Sequence, residues 1–129
     1  MKKIIQTDKA PAPIGPYNQA VLSGNTLYIS GQIAIDPKNG TLALGNSIAE
    51  ETELVMKNLK AVLEAAEMTF EHVAKTSIFI SDMHHFSEIN SVYARYFDEA
   101  TAPARETVEV ANLPKFVNVE ISMIAVKSS

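Results

Sequence analysis

Apolar and polar residues alternate along positions 26–35. Leu27, Ile29, Ile33 and Ile35 point one way, and Tyr28, Ser30, Gln32 and Ala34 the other. A period of two is the signature of a strand. Gly31 interrupts the first set, and a glycine inside a strand marks a bulge or the close approach of another group. Positions 19–22 form a shorter strand that enters through the turn Ser23-Gly24-Asn25. A weakly marked N-terminal strand precedes Ala10-Pro11-Ala12-Pro13-Ile14-Gly15-Pro16-Tyr17. The prolines and glycine of that segment exclude regular structure and make it a stiff, extended loop. Asp36-Pro37-Lys38-Asn39-Gly40 is a turn, with Pro fixing φ and Asn-Gly supplying φ > 0.

The period then changes. Ile48, Val55, Leu59, Val62 and Ala66 recur at helical spacing and predict a helix over 47–66 with one buried stripe. Ser47 with Glu50 three residues on predicts a capping box. Glu50, Glu51, Glu53, Lys57, Lys60 and Glu64 are assigned to the wet side. Positions 73–80 are rich in β-branched residues and read as a strand. A second helix runs from 82 or 83 to 98, with Phe86, Ile89, Tyr93 and Tyr96/Phe97 as its apolar stripe, and Thr101-Ala102-Pro103 ends it. Strands follow at 105–110 and 116–126, separated by Asn112-Leu113-Pro114-Lys115.

The expected order is therefore β-β-β-α-β-α-β-β, an α+β domain over residues 1–129 with two helices on one face of one mixed sheet. The last strand is apolar on both faces. Val117, Val119, Ile121, Met123 and Ala125 share one, while Ile124 and Val126 share the other with Asn118, Glu120 and Ser122. One layer of helices leaves the second face wet. Exposed apolar area of that kind marks an interface, so an oligomer with packed sheet faces is expected.

Composition narrows the chemistry. The chain has 129 residues, 47% hydrophobic and 20% charged, enough to bury a core. It has no cysteine, which excludes disulfides, thiolate metal sites and a cysteine nucleophile. That suits a reducing, cytoplasmic compartment. The N-terminus lacks the apolar run of a signal peptide, and no window reaches the ~20 apolar residues of a membrane span. The net charge is -4, without the basic stripe of a phosphate-tracking protein, so nucleic acid is not the expected partner.

Several apparent motifs dissolve on inspection. Two glycines precede the first helix in Gly40-Thr41-Leu42-Ala43-Leu44-Gly45-Asn46-Ser47, but Asn46 stands where a phosphate loop needs lysine. His72, His84 and His85 do not form a zinc spacing, so no metal site is expected. No G-x-S-x-G elbow exists to anchor a serine triad. Tyr93 and Tyr96 sit on a helical stripe and belong to the core rather than to a stacking platform.

Two charged residues stand out. Arg105 opens a strand after a proline break and shares a face with Thr107 and Glu109. Glu120 lies within the most apolar strand of the chain. The plain reading is an Arg105–Glu120 ion pair closing an interface, since buried charges are usually paired. The chemical reading is a site in which they act on a ligand.

Several ordered blocks bear on that choice. Ile14-Gly15-Pro16-Tyr17-Asn18-Gln19-Ala20, Ile29-Ser30-Gly31-Gln32-Ile33, Asn90-Ser91-Val92-Tyr93-Ala94-Arg95-Tyr96-Phe97, Pro103-Ala104-Arg105 with Val108-Glu109-Val110-Ala111, Leu113-Pro114-Lys115 and Val119-Glu120-Ile121 closely resemble the RidA/YjgF family. The resemblance spans almost the whole chain. It implies a chorismate-mutase-like fold and a homotrimer whose sheets form a central barrel with clefts between subunits. It implies cofactor-free hydrolysis of 2-aminoacrylate or 2-iminobutyrate to a 2-keto acid and ammonia. Arg105 would grip the substrate carboxylate and Glu120 would orient or deprotonate water. Tyr17, Ser30, Gly31, Asn90 and Thr107 would line the cleft.

That chemistry is physically coherent. A planar guanidinium holds a carboxylate through two parallel hydrogen bonds, which lysine cannot copy. A glutamate across the cleft can then activate water. Apolar surroundings would raise the Glu120 pKa, and a nearby Arg105 would lower it. Three positions depart from the family pattern. Thr107 stands where cysteine is common, Glu106 replaces a small polar residue, and Ser122 stands where many members carry glutamate. Two other readings remain: a non-enzymatic module that binds a keto acid or a protein partner in the same cleft without turnover, and the ribonuclease activity assigned to some relatives.

Overall fold

The computed structural model describes residues 1–128. The elements follow the expected order: β1 (Lys2–Ile5), β2 (Ala20–Ser23), β3 (Thr26–Gln32), α1 (Ile48–Ala65), β4 (Val73–Ile80), α2 (Phe86–Ala94), β5 (Ala104–Glu109) and β6 (Val119–Val126). The six strands make one mixed sheet in the order β1-β2-β3-β6-β4-β5. Only β4 and β5 run parallel, and α2 supplies the crossover that a parallel pair requires. The other neighbours are antiparallel.

Helix α1 starts at Ser47, whose side chain accepts from the Glu50 backbone N–H at 3.1 Å. The Glu50 carboxylate reaches back one residue further than a capping box requires, to the Asn46 N–H. The helix lays Val55, Met56, Leu59, Val62 and Leu63 over one sheet face, against Leu27, Ile29, Ile78, Ile80, Ile121 and Met123. Each such side chain contributes roughly 1.5–3 kcal/mol by leaving water. The opposite sheet face has no helix. Ile4, Val21, Tyr28 and Ile124 lie side by side in one row across β1, β2, β3 and β6. Ile4, Tyr28, Val108 and Val126 are all exposed. β6 is apolar on both faces as its alternation indicated: Val119, Ile121, Met123 and Ala125 are buried, and the intervening side chains are not. Phe79 helps cover one end of the open face, packing with Ile33, Ile35, Leu113 and Val117.

Five expectations about boundaries and faces need correction. The strand over 26–35 ends at Gln32, and Gln32 belongs with Ile29 rather than opposite it. Ile29 pairs with Met123 and Gln32 with Ile121, so Ser30 and Gly31 of β3 oppose the single Ser122 of β6. The bulge at Ser30-Gly31 thus flips the alternation and buries Gln32. The second helix is shorter than 82–98: its first residues, Met83–His85, form a 3-10 turn, and the α-helix stops at Ala94. The last strand begins at Val119 rather than at 116, because Pro114–Phe116 makes a 3-10 turn with Lys115 and Phe116 at φ of 55° and 56°. Glu51, assigned to the wet side of α1, is 1% exposed.

The candidate site divides between two sheet faces

The proline-rich loop is held by one side chain that the sequence reading passed over. Gln19 is buried at the start of β2. Its amide nitrogen lies within hydrogen-bonding distance of the Thr7, Ala10 and Pro11 carbonyls, and its oxygen accepts from the Thr7 N–H. Prolines cannot donate, so the carbonyls of this loop need a side-chain partner. The loop then turns back at Tyr17, whose N–H donates to the Gly15 carbonyl and whose hydroxyl accepts from the Ile14 N–H. The β3 bulge lies beside it: the Ser30 hydroxyl donates to the Asn18 carbonyl at 2.6 Å.

These elements form an open cleft of about 440 Å³, lined by Ile14, Tyr17, Ser30, Gly31, Pro114 and Glu120. Glu120 reaches from β6 to the bulge. It has no hydrogen-bond partner within the protein among the described residues, and burial pushes its carboxyl above the usual range. The expected counter-pull of Arg105 is absent from the causes of that shift. Desolvation therefore prevails over the pairing weighed from the sequence, and burial favours the neutral form of the carboxyl over the carboxylate.

Arg105 lies elsewhere. It opens β5, the edge strand, and pairs in register with the buried Thr76 of β4. Thr76 faces the helices, where it accepts from the Tyr93 hydroxyl at 2.9 Å. Arg105 therefore faces α2, while Glu120, flanked on its strand by the buried Val119 and Ile121, faces the open side. Within one protomer Arg105 and Glu120 do not pair, because the sheet itself separates the two side chains. No carboxylate of the described residues lies within 4.0 Å of the guanidinium. Instead Arg105 donates to the Asn90 side-chain oxygen at 2.7 Å. Its guanidinium carbon sits 5.1 Å from the Tyr93 ring centroid and 5.8 Å from that of Phe86. A cation so held keeps free donors for an anion. Thr107, two residues along the same face, has a buried hydroxyl without a hydrogen-bond partner among the described residues.

The sequence-derived residues thus assemble as two groups. Tyr17, Ser30, Gly31 and Glu120 share the cleft on the open face. Asn90, Arg105 and Thr107 share the β5–α2 margin. Ile14 and Pro114 join the first group, and the packing of Tyr93 and Phe86 against Arg105 extends the second. Of the three departures from the family pattern, Glu106 pairs with Lys75 at 2.9 Å and accepts from Ser77, which lowers its pKa. Ser122 lies opposite Ser77 on the open face. The histidines serve locally: His72 accepts from the Thr69 N–H, and His84 contacts Asp82. Among the described residues, no three potential ligands converge on a metal position, and no helix is long and apolar enough to cross a membrane.

Comparison with known proteins places the chain among relatives. The family model described as "Endoribonuclease L-PSP" matches residues 7–127. A RutC family protein of Synechocystis is 51% identical over 124 residues, covering 96% of this chain and 95% of that one. The mouse protein named 2-iminobutanoate/2-iminopropanoate deaminase is 45% identical over 127 residues, covering 98% of this chain and 93% of its own. A crystal structure from Thermotoga maritima superposes with a TM-score of 0.95 at 50% identity over the whole of both chains.

Proposed function

The chain belongs to the endoribonuclease L-PSP family, which includes the RidA/YjgF proteins, and from that premise we propose that it hydrolyses 2-imino acids and their 2-enamine tautomers. The substrates are 2-iminobutanoate and 2-iminopropanoate, the latter formed from 2-aminoacrylate. The products are the 2-keto acid and ammonia. No metal or organic cofactor enters the scheme, and the cytoplasm is the expected compartment.

The observation that carries this reading is the pair of unspent groups. The Arg105 guanidinium is oriented by Asn90 and two rings but has no carboxylate partner among the described residues. The Glu120 carboxyl is half-buried, free of hydrogen bonds to the described residues and raised in pKa by its burial. A small organic acid answers the first, and proton exchange with water answers the second. Because the two lie on opposite faces, one site uses Arg105 of one protomer and Glu120 of a neighbouring copy. The open, partly apolar sheet face is the surface on which copies would pack, as a homotrimer with inter-subunit clefts.

In such a cleft Arg105 holds the substrate carboxylate, with Asn90 and Thr107 beside it. Protonated Glu120 can deliver a proton to the terminal carbon of the enamine, giving the iminium form of the imine. Ionised Glu120 can then take a proton from water as its oxygen bonds to the iminium carbon, giving the carbinolamine. Glu120 passes that proton to the carbinolamine nitrogen and takes one from the new hydroxyl as the C–N bond breaks, so the keto acid forms, the nitrogen leaves as ammonia, and one water is consumed. Tyr17 and Ser30 border the space where the leaving nitrogen is released. Imine hydrolysis is already rapid in water, so positioning by Arg105 and proton transfer by Glu120 together supply the required acceleration.

The test generates the imine in place with a threonine dehydratase and follows ammonia and keto-acid release. The wild-type chain should accelerate release. Arg105→Ala should reduce kcat/KM by about 100-fold or more, the loss of a bidentate charged contact. Binding of keto acid without turnover would reject hydrolysis and leave a carboxylate-binding role.

A further inference from the structure

Helix α1 covers the sheet face opposite the cleft, yet two polar side chains on its inner stripe reach through to the backbone that builds the cleft. Glu51 and Asn58 are each 1% exposed. They are seven residues apart, two turns, and so lie on one side of the helix. Both contacts link segments far apart in the chain.

Glu51 fills its acceptor positions with donors from the start of β6. One oxygen accepts from the Asn118 N–H at 2.8 Å and the Val119 N–H at 3.2 Å. The other accepts from the Asn118 side-chain amide at 2.7 Å. No cation of the described residues pairs with it. A buried carboxylate balanced only by neutral donors is a costly way to stabilise a fold, since a well-packed apolar residue does as much without the desolvation. What it delivers is direction. Charge-assisted hydrogen bonds from two consecutive backbone N–H groups fix the orientation of the peptide planes they belong to. The Asn118 carbonyl is engaged too, by the Ser81 N–H at 3.1 Å. Glu120 directly follows Val119 and points to the other face.

Asn58 acts on the opposing wall. Its amide donates to the Ile33 and Ile35 carbonyls at 3.2 and 3.1 Å, just past the bulge that carries Gly31. The two walls meet tightly: a Cβ at position 31 would lie 2.7 Å from the Glu120 Cδ. The incoming loop is also under strain, because Lys115 and Phe116 both hold positive φ. Positive φ is unfavourable for bulky residues, and the surrounding structure must over-determine it. An anchor at Asn118 supplies that constraint at the loop's exit.

We infer that Glu51 is a positioning residue for the cleft, acting with Asn58 as a two-point brace that sets Glu120 against Gly31 from the far side of the sheet. The inference rests on the hydrolytic reading only for its kinetic consequence; the placement of Glu120 can be measured without turnover. The mechanism of action is steric and directional. Without the brace, the first residues of β6 gain freedom, Glu120 withdraws toward water, and Pro114, on the same loop, moves with it.

The experiment uses Glu51→Ala and Glu51→Gln in the full-length chain, each also combined with Glu120→Gln. Carbon-13 NMR of the labelled glutamate carboxyls reads the Glu120 titration directly. Glu51→Ala should return that titration toward the ordinary carboxylate value, and Glu51→Gln, which keeps one acceptor oxygen, should shift it less. In the imine assay Glu51→Ala should lower kcat about 10- to 100-fold, the range expected for a misplaced catalytic group. In the Glu120→Gln background the same substitution should change kcat less than about twofold, since its effect runs through Glu120. An unchanged Glu120 titration in both single variants, or equal kcat losses in both backgrounds, overturns the inference. If Glu51→Ala does not fold, Glu51→Gln decides by the same two readings. Absence of imine turnover in the wild type would reject the hydrolytic reading, while the titration would still decide the brace.

Discussion

Gly31 and Glu120 approach so closely that a side chain at position 31 fits only if Glu120 moves: an added Cβ would stand 2.7 Å from the Glu120 Cδ and 2.9 Å from its Cγ. The atoms in the way belong to the side chain that carries the proposed proton chemistry. Gly31→Ala should therefore displace Glu120 rather than break the sheet. The expected outcome is a kcat loss of order 100-fold, as for other misplaced catalytic groups, with a melting temperature only slightly lowered. Steady-state kinetics beside a thermal melt check it; a large stability loss with intact kcat in the folded fraction would contradict it.

Glu120 also links function to pH. Burial raises its folded pKa above the unfolded value, so the native state binds more protons than the unfolded chain between the two. Stability should fall as pH rises from about 4.5, the ordinary value, through the raised pKa. Glu120→Gln removes that slope. The variant should melt at a higher temperature than wild type above the raised pKa and lose this advantage in acid. Thermal melts across pH test the sign. The acidic limb of the rate profile should disappear in the same variant.

Thr107 offers a separate handle. Its buried hydroxyl has no partner in the isolated protomer, which is destabilising. Thr107→Val keeps the shape and removes the unpaired group, so it should stabilise the fold by about 1 kcal/mol. If the hydroxyl meets the substrate beside Arg105, the same variant should raise KM severalfold. Urea unfolding and initial-rate kinetics separate the two effects.

Gln19 is the pin of the proline-rich loop. Gln19→Ala leaves several loop carbonyls and the Thr7 N–H without their partner and should cost about 2–3 kcal/mol. Release of Tyr17 should lower kcat/KM together with stability. Chemical denaturation measures the first and the imine assay the second.

Most of the fold was legible because its periodicities are clean. The stripe of α1 and the two-sided apolarity of β6 predicted the layer of helices and the open face. The failures have different causes, and one is that local alternation carries no information on register. Gln32 was placed on the wrong side because the Ser30-Gly31 bulge shifts pairing by one residue, although Gly31 itself gave the warning. Glu51 was placed in water by its charge, although it falls three residues after Ile48 and four before Val55, within the buried stripe. Gln19 sits in a recognisable block, but nothing local says that distant carbonyls converge on it. The residues of the site were nameable from the family pattern. Their division between two faces was not, because it depends on β5 pairing with β4 and β6 lying between β3 and β4.

That division makes the central claim measurable: Arg105 and Glu120 act together only across two copies of the chain. Arg105→Ala and Glu120→Gln chains, each nearly inactive alone, should be mixed, unfolded and refolded together. In a cyclic trimer with random assembly, about one cleft in four then combines an intact Arg105 with an intact Glu120. Recovery of about a quarter of wild-type imine hydrolysis is the predicted result. Refolded mixtures no more active than the separate variants, with mixed oligomers demonstrated by mass, would contradict the account.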